Sequence, residues 1–576
     1  MKLILKFLKP HWKLCAITII LLIADVAGAL FITTLAADML NEGTSGATFD
    51  MILGTGLKMG AASLISGACA ILGGYACAAL SSRLGKDMRV AIYKKSLKLS
   101  VYDFRQFGTA SMTTRTVSDI TTIQFAVISF IQMVLPVPVV CAIALALTFL
   151  LDVQMGFILL AAVAEVIILA LFIMKSASPL FRKLQKLLDR MSTALLENIT
   201  GVRVVRAFNN EERERKRLNA AFSDYAETSI KANRMFANLD GLSFFCINAL
   251  VIGVYWLSGA SISAGKFQIG DITAIIQYAM MVLFFIMMAQ MVILTLPRAL
   301  ECCSRIQEVL NHTPEIRDLV KEDPKNENLT DNVLEFKNVC FRFSDAEEDT
   351  LSDLNFICRR GETTAIIGGT GSGKSTVASL ILRFHEVTKG NILLNDRDIR
   401  SMTQNYLRKH LAYVQQKAWL FSGTVADNLR YGNKNASREE LMRAVEVAQA
   451  GEFVKSLPNG LNSYVAQGGT NFSGGQKQRL SIARALVKKP ELYIFDDSFS
   501  ALDFKTDAAL RKALAEETKD AAVLIIAQRV STIKNADQII VLSEGKMAGK
   551  GTHEQLLENC PVYREIYESQ TKEAQK

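Results

Sequence analysis

The chain has 576 residues, 50% of them hydrophobic, a formal net charge of +9 at pH 7 and a mean hydropathy of +0.22. This length exceeds one ordinary domain, and the hydropathy is high for a soluble enzyme, so membrane-spanning segments are expected. The positive charge does not predict a nucleic-acid partner. The basic residues cluster beside apolar runs, as they do in the cytoplasmic loops of membrane proteins.

A basic, amphipathic segment opens the chain, with Lys2, Lys6, Lys9 and Lys13 at helical spacing among apolar residues. It predicts a short helix that lies along the membrane surface. The apolar run after Lys13 extends to about Leu40. This run is too long for the apolar part of a secretory signal, and it predicts a first membrane span.

Apolar runs that approach or exceed the roughly 20 residues required by a bilayer core predict six spans. They lie near residues 14–40, 53–82, 122–151, 154–174, 238–260 and 271–297. Lys and Arg are concentrated in alternate connections, at residues 83–115 and 175–231, and are nearly absent from the others. Because positive charge marks the cytoplasmic side, the sequence predicts a multi-pass protein with both termini in the cytoplasm.

Two acidic residues, Asp25 and Glu165, lie well inside apolar runs. Ionisable groups are expensive in lipid and usually face a cavity or a polar partner. Each residue is therefore a candidate for a substrate pathway that favours cations. Packing within the helix bundle is the alternative for both.

After the last span the sequence becomes polar, and Pro314 and Pro324 lie within the polar stretch. This composition predicts a linker at residues 313–332. The linker would separate a membrane domain at residues 1–312 from a second domain at residues 333–576.

The second domain contains the sequence I-I-G-G-T-G-S-G-K-S-T between an apolar run and a periodic segment, a candidate strand and helix. Its spacing fits a phosphate-binding loop, in which backbone N–H groups and a helix N-terminus face a triphosphate. The lysine would reach the β- and γ-phosphates, and the serine hydroxyl that follows it would bind Mg²⁺. The candidate residues are Gly368, Gly369, Thr370, Gly371, Ser372, Gly373, Lys374, Ser375 and Thr376.

Further along, the chain reads N-F-S-G-G-Q-K-Q-R, and an apolar run then ends in Asp496. The loop, this signature and Asp496, in that order, resemble the ATP-binding-cassette (ABC) transporters, and the resemblance covers the whole chain. It implies a type IV exporter fold, with an all-α transmembrane domain of six helices and two intracellular coupling loops, followed by an α/β ATPase domain. By this resemblance, coupling helices would lie near Arg115–Thr121 and Phe208–Arg213.

The resemblance also implies roles for single residues. Phe343 would stack on adenine, although a buried strand residue is the alternative interpretation. Gln416 would meet Mg²⁺ or the attacking water, and Asp496 would hold Mg²⁺. The signature would close over the γ-phosphate bound by a second ATPase domain, through Ser473, Gly474, Gly475 and Gln476.

Two positions depart from the family pattern. Asp497 stands where the family has a catalytic glutamate, and its shorter side chain withdraws the carboxylate by roughly 1.5 Å. Gln528 stands where the family has a histidine, and a side-chain amide cannot act as an acid or a base near neutral pH as imidazole can. Because the loss of a general base typically costs about 10²–10⁴-fold, this site is expected to bind ATP and to hydrolyse it slowly.

The sequence thus predicts an ATP-hydrolysing translocase in the plasma or inner membrane, with ATP and Mg²⁺ as cofactors. It would be the degenerate-site half of a bacterial heterodimeric, multidrug-type exporter. Its partner would be a different half-transporter subunit with intact catalytic residues, and its substrate a hydrophobic drug, lipid or peptide. The alternatives are a homodimeric lipid flippase and an ATP-gated regulator that transports nothing.

Overall fold

The computed structural model describes residues 2–263, 268–318, 320, 323 and 329–574. It divides into two units, of which the first comprises Met1–Leu97 and Phe107–His312. The second comprises Lys98–Gln106 and Thr313–Lys576. The predicted linker, residues 313–332, lies partly outside the described residues.

The described residues up to His312 form helices joined by short connections, as apolar runs in lipid require, because helices satisfy their backbone hydrogen bonds internally. The helices are α1 (Lys2–Leu8), α2 (Trp12–Thr44), α3 (Phe49–Ser96), α4 (Val101–Phe107), α5 (Thr109–Thr114), α6 (Ile120–Ser129), α7 (Pro136–Leu151), α8 (Val153–Thr200), α9 (Val202–Ala207), α10 (Glu211–Ser263) and α11 (Ile269–Asn311). A 3₁₀ turn joins α1 to α2, and π-helical turns at Arg115–Asp119 and Phe130–Val134 join α5, α6 and α7 into one helical run.

All six predicted spans lie on these helices. Within the described residues, five helical runs are long and apolar enough to cross a membrane: Lys2–Thr44, Phe49–Ser96, Thr109–Leu151, Gly241–Ser258 and Ile269–Asn311. The fourth predicted span is the apolar first part of α8, and its apolar stretch, Val153–Leu169, is shorter. Large apolar side chains remain exposed on these helices, such as Leu64 at 78% and Leu150 at 83%. This is the surface that lipid would cover.

The segment Arg115–Thr121, where a coupling helix is predicted, begins with the π-helical turn Arg115–Asp119 and leads into α6. Arg115 donates to the Arg305 carbonyl and to Glu308 of α11, both at 2.8 Å, so this segment is tied into the first unit. The segment that belongs to the second unit is Lys98–Gln106. The helical path breaks earlier than predicted because Gly108, between α4 and α5, has a φ of 76°.

The short helix of the other basic connection also lies earlier than predicted. It is α9, Val202–Ala207, whereas Phe208–Arg213 spans the turn into α10. Gly201 ends α8, and Asn209, with a φ of 50°, ends the path of α9. Asn adopts this left-handed conformation more readily than most residues do.

The second unit contains two principal sheets. Its strands are β1 (Asn332–Phe341), β2 (Leu351–Arg359), β3 (Thr363–Gly368), β4 (Lys389–Leu394), β5 (Arg397–Asp398), β6 (Leu411–Val414), β7 (Gly423–Thr424), β8 (Tyr464–Val465), β9 (Leu492–Asp496), β10 (Ala522–Ile526), β11 (Gln538–Ser543) and β12 (Lys546–Gly551). One sheet is antiparallel, in the order β2-β1-β4-β5. The other has the order β12-β11-β3-β10-β9-β6, with all pairs parallel except the edge strand β12.

Helices cover these sheets and bury the apolar strands β3, β9 and β10, as parallel sheets require. The helices are α12 (Lys374–Ile381), α13 (Gln404–Lys409), α14 (Val425–Arg430), α15 (Arg438–Val447), α16 (Gly451–Ser456), α17 (Gly474–Lys488), α18 (Phe504–Glu517), α19 (Val530–Ile533), α20 (His553–Asn559) and α21 (Pro561–Ala574). The fold is therefore a helical transmembrane domain followed by an α/β domain, as the sequence predicts.

A buried arginine fixes the start of the second unit. Arg383, only 1% exposed, donates to the carbonyls of Arg317 at 3.1 Å and Met402 at 3.0 Å, and to the Glu386 carboxylate at 2.8 Å. A buried guanidinium requires such partners because its desolvation is costly. These contacts hold the residues that follow the last membrane helix against the α/β domain.

Replacing Arg383 by Leu is therefore expected to destabilise the second unit by about 3–5 kcal/mol, because buried acceptors lose their donor. The midpoint of thermal unfolding of the full chain in detergent measures this loss. Arg443→Leu serves as the control, since Arg443 is 71% exposed in its ion pair with Glu517 and should contribute less than about 1 kcal/mol. Equal midpoints for the two variants would contradict the role of Arg383.

Candidate nucleotide-binding site

The site lies where three parallel strands end side by side. Register places Ile526 of β10 beside Ile366 of β3 on one side and beside Asp496 of β9 on the other. The phosphate-binding loop follows β3, Asp496 ends β9, and Gln528 follows β10. Ligands of open α/β sheets bind at such carboxyl ends.

These segments surround a cavity of about 360 Å³. Ten of the predicted residues line it: Thr370, Gly371, Gly373, Lys374, Ser375, Thr376, Gln416, Asp496, Asp497 and Gln528. Thr350 and Ile526 line it as well, and neither was predicted. Gly368, Gly369 and Ser372 complete the turn of the loop, and all three accept hydrogen bonds from Lys374 Nζ.

Two glycines give the loop its shape. Gly371 and Gly373 have φ values of 83° and 92°, a region that favours glycine. A Cβ on Gly373 would lie 2.5 Å from the Leu351 side chain and 3.2 Å from the Thr350 carbonyl. The chain can therefore make this turn, and begin α12 with Lys374 as its first residue, only with glycine at these positions.

The lysine of the loop is folded onto its own backbone. Lys374 Nζ donates to the carbonyls of Gly368 at 2.8 Å and Gly369 at 2.7 Å, and approaches Ser372 Oγ at 3.4 Å. Burial lowers the pKa of Lys374, while the nearby carboxylates of Asp497 and Asp496 oppose this shift. Lys374 lines the cavity, and its ammonium group lies among oxygen acceptors that the phosphates of a nucleotide would replace.

Hard oxygen donors converge beside the lysine. Ser375 Oγ lies 3.0 Å from Asp496 Oδ1, and the Tyr413 hydroxyl donates to Asp496 Oδ2 at 3.1 Å. Burial raises the pKa of Asp496, against the effect of these two hydrogen bonds. A hydroxyl and a buried carboxylate fit Mg²⁺, which prefers oxygen ligands. Ser375 and Asp496 would hold the ion, with the Gln416 amide nearby.

Asp497 is held by the end of β10 and by the loop that follows β6. Its N–H donates to the Ile526 carbonyl at 2.8 Å, and its Oδ2 accepts from Gln416 Nε2 at 3.0 Å. Its φ is 46°, a left-handed conformation that Asp tolerates better than most residues. The carboxylate faces the cavity and is already engaged by an amide.

Phe343 lies just beyond the end of β1 and is half-buried. Its ring packs edge-on against Phe341, with centroids 4.7 Å apart, and against His385 at 5.3 Å. Adenine stacking by Phe343 stays a prediction, as does the alternative that the ring only packs in the domain.

The signature residues lie at a different place, at the start of α17. Ser473 Oγ accepts from the Gln476 N–H at 3.3 Å, and Gln476 Oε1 accepts from the Ser473 N–H at 2.9 Å. This reciprocal capping box fixes the first turn of the helix. A Cβ on Gly474 would meet no atom within 4 Å, whereas one on Gly475 would lie 3.3 Å from the Ala501 carbonyl.

The membrane acids differ in their surroundings. Asp25 of α2 accepts a hydrogen bond from Ser66 of α3 at 3.0 Å, so its carboxylate has a partner between two helices. Glu165 of α8 is exposed and lines a cavity of about 470 Å³ with apolar residues of the same helix, among them Ile168 and Phe172. Cys246 Sγ approaches the Glu165 carboxylate at 3.4 Å.

Besides Thr350 and Ile526, two residues that contact the site from other elements were missed in the sequence. Tyr413 lies on β6, beside β9, three residues before Gln416. Alternation along β6 could have indicated that it faces Asp496. Gln570 on α21 contacts the loop that carries Gln528, and no sequence signal links these residues.

Comparison with known proteins supports the same interpretation. A family model described as "ABC transporter transmembrane region" matches residues 14–287, and one described as "ABC transporter" matches residues 351–500. An uncharacterized ABC transporter ATP-binding protein of Mycobacterium tuberculosis is 34% identical over 98% of this chain and 97% of its own length. An ATP-dependent lipid A-core flippase of Albidiferax ferrireducens is 30% identical, over 98% and 97%. The solved structure of a bacterial Atm1-family ABC exporter with ATP bound is similar with a TM-score of 0.78 and 26% identity, covering 98% of both chains.

Replacing Asp496 by Asn should weaken ATP binding about tenfold in the presence of Mg²⁺ and change it little in EDTA, because an amide is a poorer Mg²⁺ ligand. Since the pKa of Asp496 is raised, protons should compete with Mg²⁺ in mildly acidic solution. Binding to the unmodified chain should therefore weaken as the pH falls, and the variant should lose this dependence. Titration of the full chain with a fluorescent ATP analogue measures both effects.

Ser379→Ala is the matched control, since Ser379 is half-exposed on α12 and its Oγ donates to the Ser375 carbonyl within the same helix. Its affinity should equal that of the unmodified chain. An unchanged Mg²⁺ effect in Asp496→Asn would remove Asp496 from the metal site.

Proposed function

The chain belongs to the ABC transporter family, and from this premise we propose that it is one half of a heterodimeric exporter in the cell membrane. ATP binding and hydrolysis would drive the export of hydrophobic or amphipathic substrates, such as drugs, lipids or peptides. Both termini and the ATPase domain would lie in the cytoplasm. The partner would be a different ABC half-transporter subunit.

The observation that carries the proposal is the pair of substitutions within one otherwise complete site. Lys374, Ser375 and Asp496 line the cavity, and Asp497 and Gln528 line it where the family has glutamate and histidine. The Asp497 carboxylate is shorter than that of glutamate and accepts a hydrogen bond from Gln416. Gln528 can donate to a phosphate oxygen but cannot cycle a proton near neutral pH. Such a site would retain ATP and hydrolyse it slowly.

Within this site each residue of the chain would have a separate task. The loop N–H groups and Lys374 would bind the phosphates, and Asp496 with Ser375 would hold Mg²⁺, which neutralises phosphate charge when bound. Gln416 and Asp497 would orient the attacking water without an efficient transfer of its proton. The slow step would therefore be hydrolysis and not binding.

The intact signature supports a partner with a complete catalytic site. Ser473 and Gln476 form a closed capping box, so the first turn of α17 presents its remaining N–H groups in a fixed direction. Helix N-termini of this kind favour anions. In the proposed dimer this turn would close over ATP that is bound to the partner, where hydrolysis would be fast.

A homodimeric lipid flippase is the second candidate. Two of the relatives, from Chromobacterium violaceum and Albidiferax ferrireducens, are ATP-dependent lipid A-core flippases, at 28% and 30% identity. In a homodimer both sites would contain Asp497 and Gln528. Substantial ATP turnover by this chain when it is purified alone would favour this candidate over the heterodimer.

In the heterodimer, the two kinds of site should respond differently to substitution. Gly474→Phe should reduce steady-state ATP turnover by about 10²–10³-fold, because the ring obstructs donors that stabilise the partner's transition state. The open space around Gly474 allows the ring in the single chain. Asp497→Asn, which keeps an acceptor for Gln416, should reduce turnover less than about threefold, since little flux passes through its site.

Both variants are measured in the complex that co-purifies with this chain from its native membrane, and equal expression and unfolding midpoints show that folding is intact. If Asp497→Asn stops turnover as completely as Gly474→Phe, the proposed division between a slow and a fast site is wrong.

The two membrane acids are proposed to have different roles. The hydrogen bond from Ser66 supports packing for Asp25. Glu165 is exposed beside apolar side chains of α8, and such a charge would be expensive against lipid. This supports a face of α8 that lines a substrate pathway or contacts the other half of the exporter.

Glu165→Gln should therefore reduce the transport of amphipathic cations about tenfold and the transport of neutral compounds much less, because one attractive charge is lost. Uptake of a cationic and a neutral dye into inside-out vesicles measures the ratio. Asp25→Asn is the matched control, and it should lower both rates equally or leave both unchanged. An equal loss for both dyes in Glu165→Gln would assign this residue to packing.

A further inference from the structure

The C-terminal helix reaches the loop that carries Gln528. Gln570 of α21 donates from Nε2 to the Gln528 carbonyl at 2.7 Å and accepts at Oε1 from the Val530 N–H at 2.8 Å. One side-chain amide thus binds a single turn of backbone through both its N–H and its oxygen, across 42 and 40 positions of sequence. We propose that Gln570 is a positioning residue, which sets the direction of Gln528 towards the γ-phosphate of bound ATP.

The turn that Gln570 holds connects β10 of the sheet to the short helix α19. Ala527, just after β10, is fixed because its N–H donates to the Ile366 carbonyl at 3.0 Å. Two exposed residues, Gln528 and Arg529, follow before α19 begins at Val530. The Arg529 side chain makes no capping hydrogen bond at this helix start, so Gln570 supplies the acceptor that a cap would otherwise provide.

The helix that carries Gln570, α21, is anchored by buried residues that lie away from the loop. Tyr563 of α21 is fully buried, and its hydroxyl lies 2.7 Å from His553 Nδ1. Ile566 packs against the same core. Residues 563, 566 and 570 recur at helical spacing, so Gln570 continues the inward face of α21 by one further turn. Gln570 therefore lies on an extension of a packed helix, and its two hydrogen bonds to the loop are not needed to hold that helix in place.

The other end of α19 is held independently. Arg511 of α18 donates to the carbonyls of Ser531 and Thr532 at 3.1 and 3.2 Å. Between Ala527 and this anchored end, the Arg529 carbonyl accepts from the Thr532 N–H at 3.2 Å, and the Gln528 carbonyl and the Val530 N–H are the groups that Gln570 holds. By fixing the Gln528 carbonyl, Gln570 fixes the backbone that carries the Gln528 side chain, which lines the nucleotide cavity.

This inference rests on the proposed binding of ATP by this chain's own site. It predicts a loss of affinity for ATP that ADP does not share, because the Gln528 side chain would contact only the γ-phosphate, which ADP lacks. A purely structural role of Gln570 would instead weaken both nucleotides equally or lower the stability of the fold.

The experiment is photolabelling of the full chain, in its complex, with 8-azido-ATP in competition with ATP or with ADP. Electrophoresis then reports on each chain separately. Gln528→Ala should lower the preference for ATP over ADP about tenfold, the size of one lost hydrogen bond to a charged group. Gln570→Ala should lower it about three- to tenfold, and the double variant should lower it no further than Gln528→Ala alone.

Two more variants exclude an effect of folding. Gln570→Glu keeps the size of the side chain and the acceptor for Val530, but it loses the donor to the Gln528 carbonyl, and it should behave as Gln570→Ala does. Thr571→Ala removes a hydrogen bond to the Tyr567 carbonyl within α21 and should retain the preference of the unmodified chain.

An ATP preference in Gln570→Ala equal to that of the unmodified chain would overturn the positioning role, as would losses that add in the double variant. Absence of labelling in the unmodified chain, or labelling that persists in Lys374→Ala, would instead refute the proposed nucleotide binding and the inference with it.

Discussion

The parallel pairing of β10 with both β3 and β9 is the constraint on which the nucleotide site depends. Because Ile526 lies beside Ile366 and Asp496, three distant segments leave the sheet at the same edge. A slip of one residue in either pair would turn the side chains of that strand to the other face. Tyr493 and Phe495 of β9 pack into one core and Leu492 and Ile494 into the other, so a slip would exchange side chains of different size between two closely packed cores. The chemistry at the edge is therefore fixed by packing inside the sheet.

The local parts of this arrangement were readable in the sequence, and the long-range parts were not. A phosphate-binding loop is one continuous segment with defined glycines, and Asp496 ends an apolar strand, so both were predicted. The positions where the two basic connections turn depend on the backbone of Gly108 and Asn209, and their short helices, α4 and α9, lie several residues before the predicted segments. Tyr413 and Gln570 meet the site from β6 and α21. Their roles follow only from which elements pack together.

For the two membrane acids as well, the sequence predicts the position but not the surroundings of the side chain. Hydropathy locates Asp25 and Glu165 within spans, but it does not give the rotation of a helix about its axis. In the structure that rotation turns Asp25 towards Ser66 of the adjacent helix and leaves Glu165 exposed on α8. Two residues with equivalent sequence contexts therefore have different surroundings.

The folded-back lysine has a consequence for selectivity. Lys374 is already bonded to the carbonyls of Gly368 and Gly369, so a nucleotide exchanges these hydrogen bonds for others and does not simply add new ones. The net gain is the difference between phosphate and carbonyl as acceptors, which is favourable chiefly because phosphate carries charge. A small anion that reaches only the ammonium group would recover little of what it displaces. A ligand long enough to engage several donors of the loop at once therefore gains more from this exchange than a small anion does.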